Sequence, residues 1–176
     1  DLAWTEGVSA GTLGERDPAL DHGTLIPLRF LADAGVSAKV VRIGLSGLTP
    51  LTHYRLGKCI AQTAENLNRS IVGVASGDLS HKLLEEGPYG FAPEGPDFDA
   101  QVTEAMATGD FMRFLTFDEV FCEKAAECGL RSFQIMAGAL SGLQVKPELL
   151  SYEGTFGVGY GVAVFTPLGR DDARCF

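Results

Sequence analysis

Two short β-branched runs separated by a helix-periodic segment constrain this chain most. Residues 38–45 read Ala-Lys-Val-Val-Arg-Ile-Gly-Leu, and residues 70–77 read Ser-Ile-Val-Gly-Val-Ala-Ser-Gly. Both have strand composition, and the second is nearly continuous in apolar character, as in a parallel strand covered on both faces. Between them, Thr49 can cap a helix and Pro50 can occupy its first position. Leu51, Tyr54, Ile60, Ala64 and Leu67 then fall on roughly one face. A strand, a helix and a neighbouring strand form a right-handed crossover unit, so the fold class read here is α/β. Residues 39–45 and 70–75 are expected to pair as neighbours in one sheet.

The rest of the chain punctuates this unit. Residues 1–20 read mostly as loop, and residues 85–97 hold three prolines and three glycines, a loop long enough to serve as a lid. Helical patterning resumes at Phe98, Val102, Ala105 and Met106, and residues 125–140 read as one further helix carrying Leu130, Phe133, Met136 and Leu140. Residues 149–153 and 158–165 read as closing strands. Residues 1–166 are taken as one domain and residues 167–176 as a linker or tail. At 176 residues the chain has the size of one domain.

Composition excludes some partners. The net charge of −9 gains nothing from counterion release on nucleic acid and is repelled by an anionic leaflet. No apolar run is long enough to span a bilayer, and the first residues carry no signal-peptide pattern. The expected location is the cytoplasm, with Cys59, Cys122, Cys128 and Cys175 as buried, reduced thiols. The sequence starts without Met, and the expectation is that an N-terminal part lies outside it.

Few residues carry candidate chemistry. Asp21-His22-Gly23 puts a carboxylate beside an imidazole on a turn. It can hold a histidine in one tautomer for acid–base work, or Asp21 can simply cap a helix while His22 packs. Ser76-Gly77-Asp78-Leu79-Ser80-His81 follows the C-terminal end of the second run, where open α/β sheets place ligands; the alternative is a polar loop with a solvated histidine. Glu127 stands at a helix start, where the dipole alone accounts for an acid, although a metal role is open. Cys128 reads as a small buried hydrophobe before it reads as a soft ligand, and His53 as a surface residue. Gly-rich residues 154–161 do not form G-x-G-x-x-G, so a phosphate loop is unsupported.

Three segments resemble a known family. Leu20-Asp21-His22-Gly23-Thr24-Leu25-Ile26-Pro27-Leu28 is similar to the D-H-G-x-x-x-P-L signature of the LigB-type catalytic subunit of class III extradiol ring-cleavage dioxygenases. Residues 76–81 resemble the family's S-G-x-L-S-H turn, and residues 126–132 with Gly138-Ala139-Leu140 resemble the segment carrying its iron-binding glutamate. The resemblance runs from about Gly11 to Phe165. Within the family it is closest to the AmmeMemoRadiSam system protein A subgroup, with Memo proteins as distant relatives. It implies a three-layer α/β domain, a mixed central sheet flanked by helices, with its N-terminal part missing from this chain.

The same resemblance implies roles. His81 is similar to the catalytic acid–base histidine and His22, oriented by Asp21, to a second substrate-contacting one. Glu127 is similar to the carboxylate of a 2-His-1-carboxylate iron(II) site, with Ser76 and Asp78 behind these groups. The two iron-binding histidines of the family precede this sequence, so iron(II) is expected for the complete domain and none is expected to be firmly held by this chain. Composition alone also allows His22, His81 and Glu127 as a triad; the family pattern argues against it. The implied reaction opens a small aromatic diol with O2. The alternative is a non-catalytic, Memo-like metal- or ligand-binding module. A C-terminal AMMECR1-like domain and a homo-oligomer are further expectations.

Overall fold

The computed structural model describes residues 20–175. Most of the expected loop at residues 1–20, including the Gly11 start of the resemblance, lies outside them. The described residues form five helices and a two-stranded antiparallel sheet, and the α/β class holds.

Helix α1 (His22–Asp33) starts at Asp21, whose carboxylate accepts the Thr24 amide at 2.8 Å. Helix α2 (Pro50–Asn66) starts as the sequence implies, with Thr49 as cap and Pro50 in its first turn. Its packed face differs from the expected one. His53, Tyr54, Gly57 and Cys59 are buried, whereas Leu51 and Leu67 are exposed. Glycine sets this face. A Cβ on Gly57 would stand 1.9 Å from the carbonyl oxygen of Ile135, and one on Gly138 would stand 1.9 Å from that of Tyr54. Two helices meet backbone to backbone at this crossing, so the seam is marked by absent side chains rather than by large apolar ones.

The partner helix, α5 (Leu130–Ala139), is shorter than the single helix expected over residues 125–140. Helix α4 (Glu119–Ala125) precedes it, and the chain breaks at Ala126–Gly129. Ala126 takes a left-handed φ of 54°. Helix α3 (Glu94–Thr108) buries Phe98, Val102, Ala105 and Met106 as their spacing predicts, but it begins four residues before Phe98. The intervening loop is correspondingly shorter than expected.

Strands β1 (Leu143–Glu153) and β2 (Tyr160–Arg170) pair antiparallel from Leu143↔Arg170 to Glu153↔Tyr160, with two register shifts along the ladder. Strand β1 starts before its expected span and β2 runs past its expected end, so residues 167–170, expected as tail, belong to β2. Helix α3 packs against the hairpin, α4 packs against α3, and α5 packs against α2. The core is dominated by phenylalanine: Phe98, Phe111, Phe114, Phe117 and Phe133 are buried. Phe98 meets Phe117 at 5.1 Å and Phe111 meets Phe165 edge-on at 5.1 Å between ring centroids.

The two runs that dominate the sequence are not strands here. Residues 36–46 and 69–76 contribute to no ladder among the described residues. Val41 is 82% exposed and Val72 91% exposed. The expected pairing of residues 39–45 with 70–75 is therefore not observed. β-Propensity measures fit to a half-buried, hydrogen-bonded surface rather than an intrinsic backbone preference, and among the described residues neither run meets such a surface. The helix expected between them is present.

Candidate functional site

The turn at residues 76–81 is pinned from two sides. On one side it joins the end of the hairpin: the Leu79 amide donates to the Gly159 carbonyl at 2.9 Å, and the Gly159 amide donates to the Ser80 carbonyl at 2.8 Å. On the other it joins the α4–α5 break: the His81 amide donates to the Ala125 carbonyl at 3.1 Å, and the Ser80 hydroxyl to the same oxygen at 2.8 Å. Gly77 lies flat on Gly129, where an added Cβ would stand 2.4 Å from the Gly129 Cα. No side chain fits between the two loops.

Beneath the turn lies Asp99, 2% exposed on α3. Its carboxylate accepts the Ser80 amide at 2.7 Å and the Tyr152 hydroxyl at 2.7 Å. Burial raises the Asp99 carboxyl above its ordinary range, against the pull of these two donors. The same pair pushes the Tyr152 phenol up, through burial first and then the neighbouring carboxylate. Asp99 and Tyr152 thus anchor the His81 turn, a role not foreseen from the sequence.

The imidazole of His81 is oriented at both nitrogens. Nδ1 meets the carbonyl oxygen of Ala126, so Nδ1 carries a proton and donates it. Nε2 lies 3.4 Å from Asp78 Oδ2. The ring of Tyr89 stands edge-on to it, 5.1 Å between centroids. Tyr89 belongs to the loop expected as a lid, and that loop does lie against His81. Tyr160 shares this surroundings: its phenol is raised by partial burial and then by Asp78, Tyr89 and Cys128.

Glu127 is held beside His81 by the α4–α5 break. Its Oε2 accepts the Leu130 amide at 2.7 Å, so it serves the first turn of α5. Burial raises its carboxyl above the ordinary range, opposed by backbone donors, Arg131 and the His81 ring. Cys128 is exposed, contrary to expectation, as is Cys175; Cys59 and Cys122 are buried. Cys128 Sγ accepts the Asp78 amide at 3.2 Å. Partial burial raises its thiol, with the Asp78 and Glu127 carboxylates adding to the shift.

His22 is exposed on the first turn of α1. Its turn reaches the site through Ser76, whose Oγ lies 3.9 Å from the position of a Cβ on Gly23. Asp21 does not orient His22 by a hydrogen bond. One of its oxygens takes the Thr24 amide and the other faces Arg42 at 3.4 Å. The Thr24 contacts hold the Asp21 carboxyl below its ordinary range, with Arg42 assisting. His53 is not a surface residue. It is 3% exposed, with Nδ1 at 3.0 Å from the Thr49 carbonyl and Nε2 at 3.3 Å from Ser46 Oγ.

Among the described residues the donor atoms close enough to share one ion belong to Asp78, His81 and Cys128. The set contains neither Glu127 nor His22. A 2-His-1-carboxylate iron centre is therefore not assembled from the described residues, and the composition-only triad of His22, His81 and Glu127 is not formed.

Comparison with known proteins decides the relationship. The family described as the catalytic LigB subunit of aromatic ring-opening dioxygenase matches residues 3–163. The chain belongs to the LigB family. A curated relative, "Protein CA_C1420" of Clostridium acetobutylicum, is 40% identical over 155 residues, which is 88% of this chain and 33% of the relative. The chain thus spans about a third of the length of the curated relative it matches. In this LigB chain the matched region contains the whole His81 turn, the α4–α5 break and the start of β2.

Proposed function

We propose that this LigB domain takes part in extradiol cleavage of a catechol-type aromatic diol by O2, with His81 as its acid–base group. The observation that carries the reading is the fixed tautomer of His81. With Nδ1–H committed to the Ala126 carbonyl, Nε2 is the nitrogen that can accept a proton and return it. A substrate hydroxyl would give its proton to Nε2, and Asp78 would stabilise the resulting imidazolium at 3.4 Å. Tyr89 and the rest of its loop would limit water access to that nitrogen. His22, reached through Ser76, would contact the substrate from the α1 side.

Iron(II) is the metal that the family resemblance implies, and Glu127 is the residue of this chain that would face it. Because the described residues do not assemble a ligand triad, the steps assigned here concern only the chain's own proton-transfer and positioning groups. Subgroup membership in AmmeMemoRadiSam system protein A, an AMMECR1-like C-terminal domain, a homo-oligomer and a cytoplasmic location belong to the same proposal. No described helix is long and apolar enough to cross a membrane.

The second reading is a Memo-like binding module without turnover, favoured by the Asp78–His81–Cys128 donor group. The experiment that separates the two uses the whole polypeptide, loaded anaerobically with iron(II) and then mixed with O2 and a panel of catechols. The dioxygenase reading expects O2 uptake matched one-to-one by ring-opened product. Saturable catechol binding with no O2 uptake would favour the binding module.

A further inference from the structure

We propose that Asp78, His81 and Cys128 form a binding site for a thiophilic divalent cation such as zinc, through a ligand set that does not include Glu127. The inference does not depend on the dioxygenase reading.

One edge of this group already has the spacing of a bound ion. The three ligand atoms lie within 4.8 Å of one another. Zinc bonds of about 2.0–2.1 Å to imidazole and about 2.0–2.2 Å to carboxylate give a tetrahedral N···O edge of about 3.4 Å. His81 Nε2 and Asp78 Oδ2 stand 3.4 Å apart. The Cys128 sulfur completes the group from an exposed residue. Three protein ligands leave the fourth position to water, the pattern of an open zinc site.

The supporting contacts are those that metal-binding side chains ordinarily have. A ligating histidine donates its other N–H to a carbonyl or carboxylate, and His81 Nδ1 does so to Ala126. In the neutral ring the Nε2 lone pair then faces a carboxylate oxygen, an arrangement that a shared cation or proton relieves. The Asp78 amide already points at Cys128 Sγ at 3.2 Å, and the Cys128 amide donates to the Asp78 carbonyl at 3.3 Å. Both ligand-bearing loops are clamped by the Gly77–Gly129 contact. The competing account is an ordinary Asp–His ion pair beside an uninvolved thiol.

Binding is not a redox step. As the S–Zn bond forms, the Cys128 thiol releases one proton to solvent, and the metal stays divalent. The ion occupies His81 Nε2, so it would block any proton transfer at that atom.

The test is anaerobic titration of the whole polypeptide with cobalt(II), a spectroscopic substitute for zinc, followed by zinc competition. The expected result is one thiolate-to-cobalt charge-transfer band that zinc abolishes. Cys128→Ser removes the band, and Asp78→Asn and His81→Gln each weaken binding by more than about tenfold, while Glu127→Gln and Cys175→Ser retain it. Circular dichroism matching the unaltered protein checks the fold of each variant, and Cys128→Ala replaces Cys128→Ser if the latter fails that check. Absence of the band, or a band that survives the Cys128 substitution, would overturn the proposal. A band lost with Glu127→Gln would likewise overturn it, because the ion would then occupy the iron-site carboxylate.

Discussion

His81 Nδ1 donates to the carbonyl oxygen of Ala126, and Ala126 is held in the left-handed region at a φ of 54°. The conformation that ends α4 is therefore the one that aims its carbonyl at the histidine. Alanine has no local reason to adopt it, since the left-handed region costs an L-residue with a Cβ about 1–2 kcal/mol. Strain of this kind persists where surrounding contacts over-determine it, often at functional positions.

Ala126→Gly should relieve that strain. Part of the gain is lost to the greater freedom of glycine in the unfolded chain, leaving a net stabilisation of up to about 1 kcal/mol. Ala126→Val should destabilise by about 1–2 kcal/mol, because a β-branched residue fits the region worst. Urea denaturation of the two variants checks both signs; a destabilised glycine variant would show that Ala126 is not strained.

The α2–α5 crossing offers a larger effect. At Gly57 and Gly138 an added Cβ meets backbone oxygen at 1.9 Å, and backbone cannot rotate away as a side chain can. Gly57→Ala and Gly138→Ala should each cost about 3 kcal/mol or more, at or beyond the upper end of ordinary overpacking. A thermal midpoint close to that of the unaltered protein for either variant would mean that the helices are farther apart than described.

Asp99 and Glu127 make stability depend on pH in a defined direction. Burial raises both carboxyls above their ordinary values of 3.8 and 4.5. Each folded form then holds its proton more tightly than the unfolded chain does. The associated stability is fully present below the ordinary value and is lost as pH rises through the raised one. Glu127→Gln keeps an acceptor for the Leu130 amide and removes the titration. Its stability relative to the unaltered protein should increase as pH rises from 4.5 and then level off. A constant difference across that interval would contradict the assignment. Asp99→Ala strands the Ser80 amide and the Tyr152 hydroxyl and should cost about 2–4 kcal/mol at low pH, the cost falling as pH rises through the raised Asp99 value; Asp99→Asn should cost less.

The turn that ends in His81 is legible in the sequence because its signal is local. The Ser76–His81 turn is a chain of small polar residues ending in histidine, and the structure ties it to the segment carrying Glu127, 46 positions beyond His81 in sequence. The helix start at Pro50 was equally local. What was missed depends on contacts that no window of sequence contains. His53 looked exposed because glycine, not leucine, marks the packed face of α2. Asp99 lay hidden in an amphipathic helix, and its partner Tyr152 is 53 residues away. Cys128 read as a buried hydrophobe because a lone cysteine carries no spacing signal; its exposure follows from the break between α4 and α5. Residues 39–45 and 70–75 have strand composition, but composition cannot supply the neighbour that a strand requires.

The central claim is that His81 moves the substrate proton. The direct measurement is single-turnover ring opening by the whole, iron-loaded polypeptide on a catechol that it accepts, comparing the unaltered protein with His81→Gln at matched substrate occupancy. Loss of a positioned acid–base group should slow the step by about 10²–10⁴-fold while leaving substrate affinity within a few-fold. An unchanged ring-opening rate in His81→Gln would contradict the account.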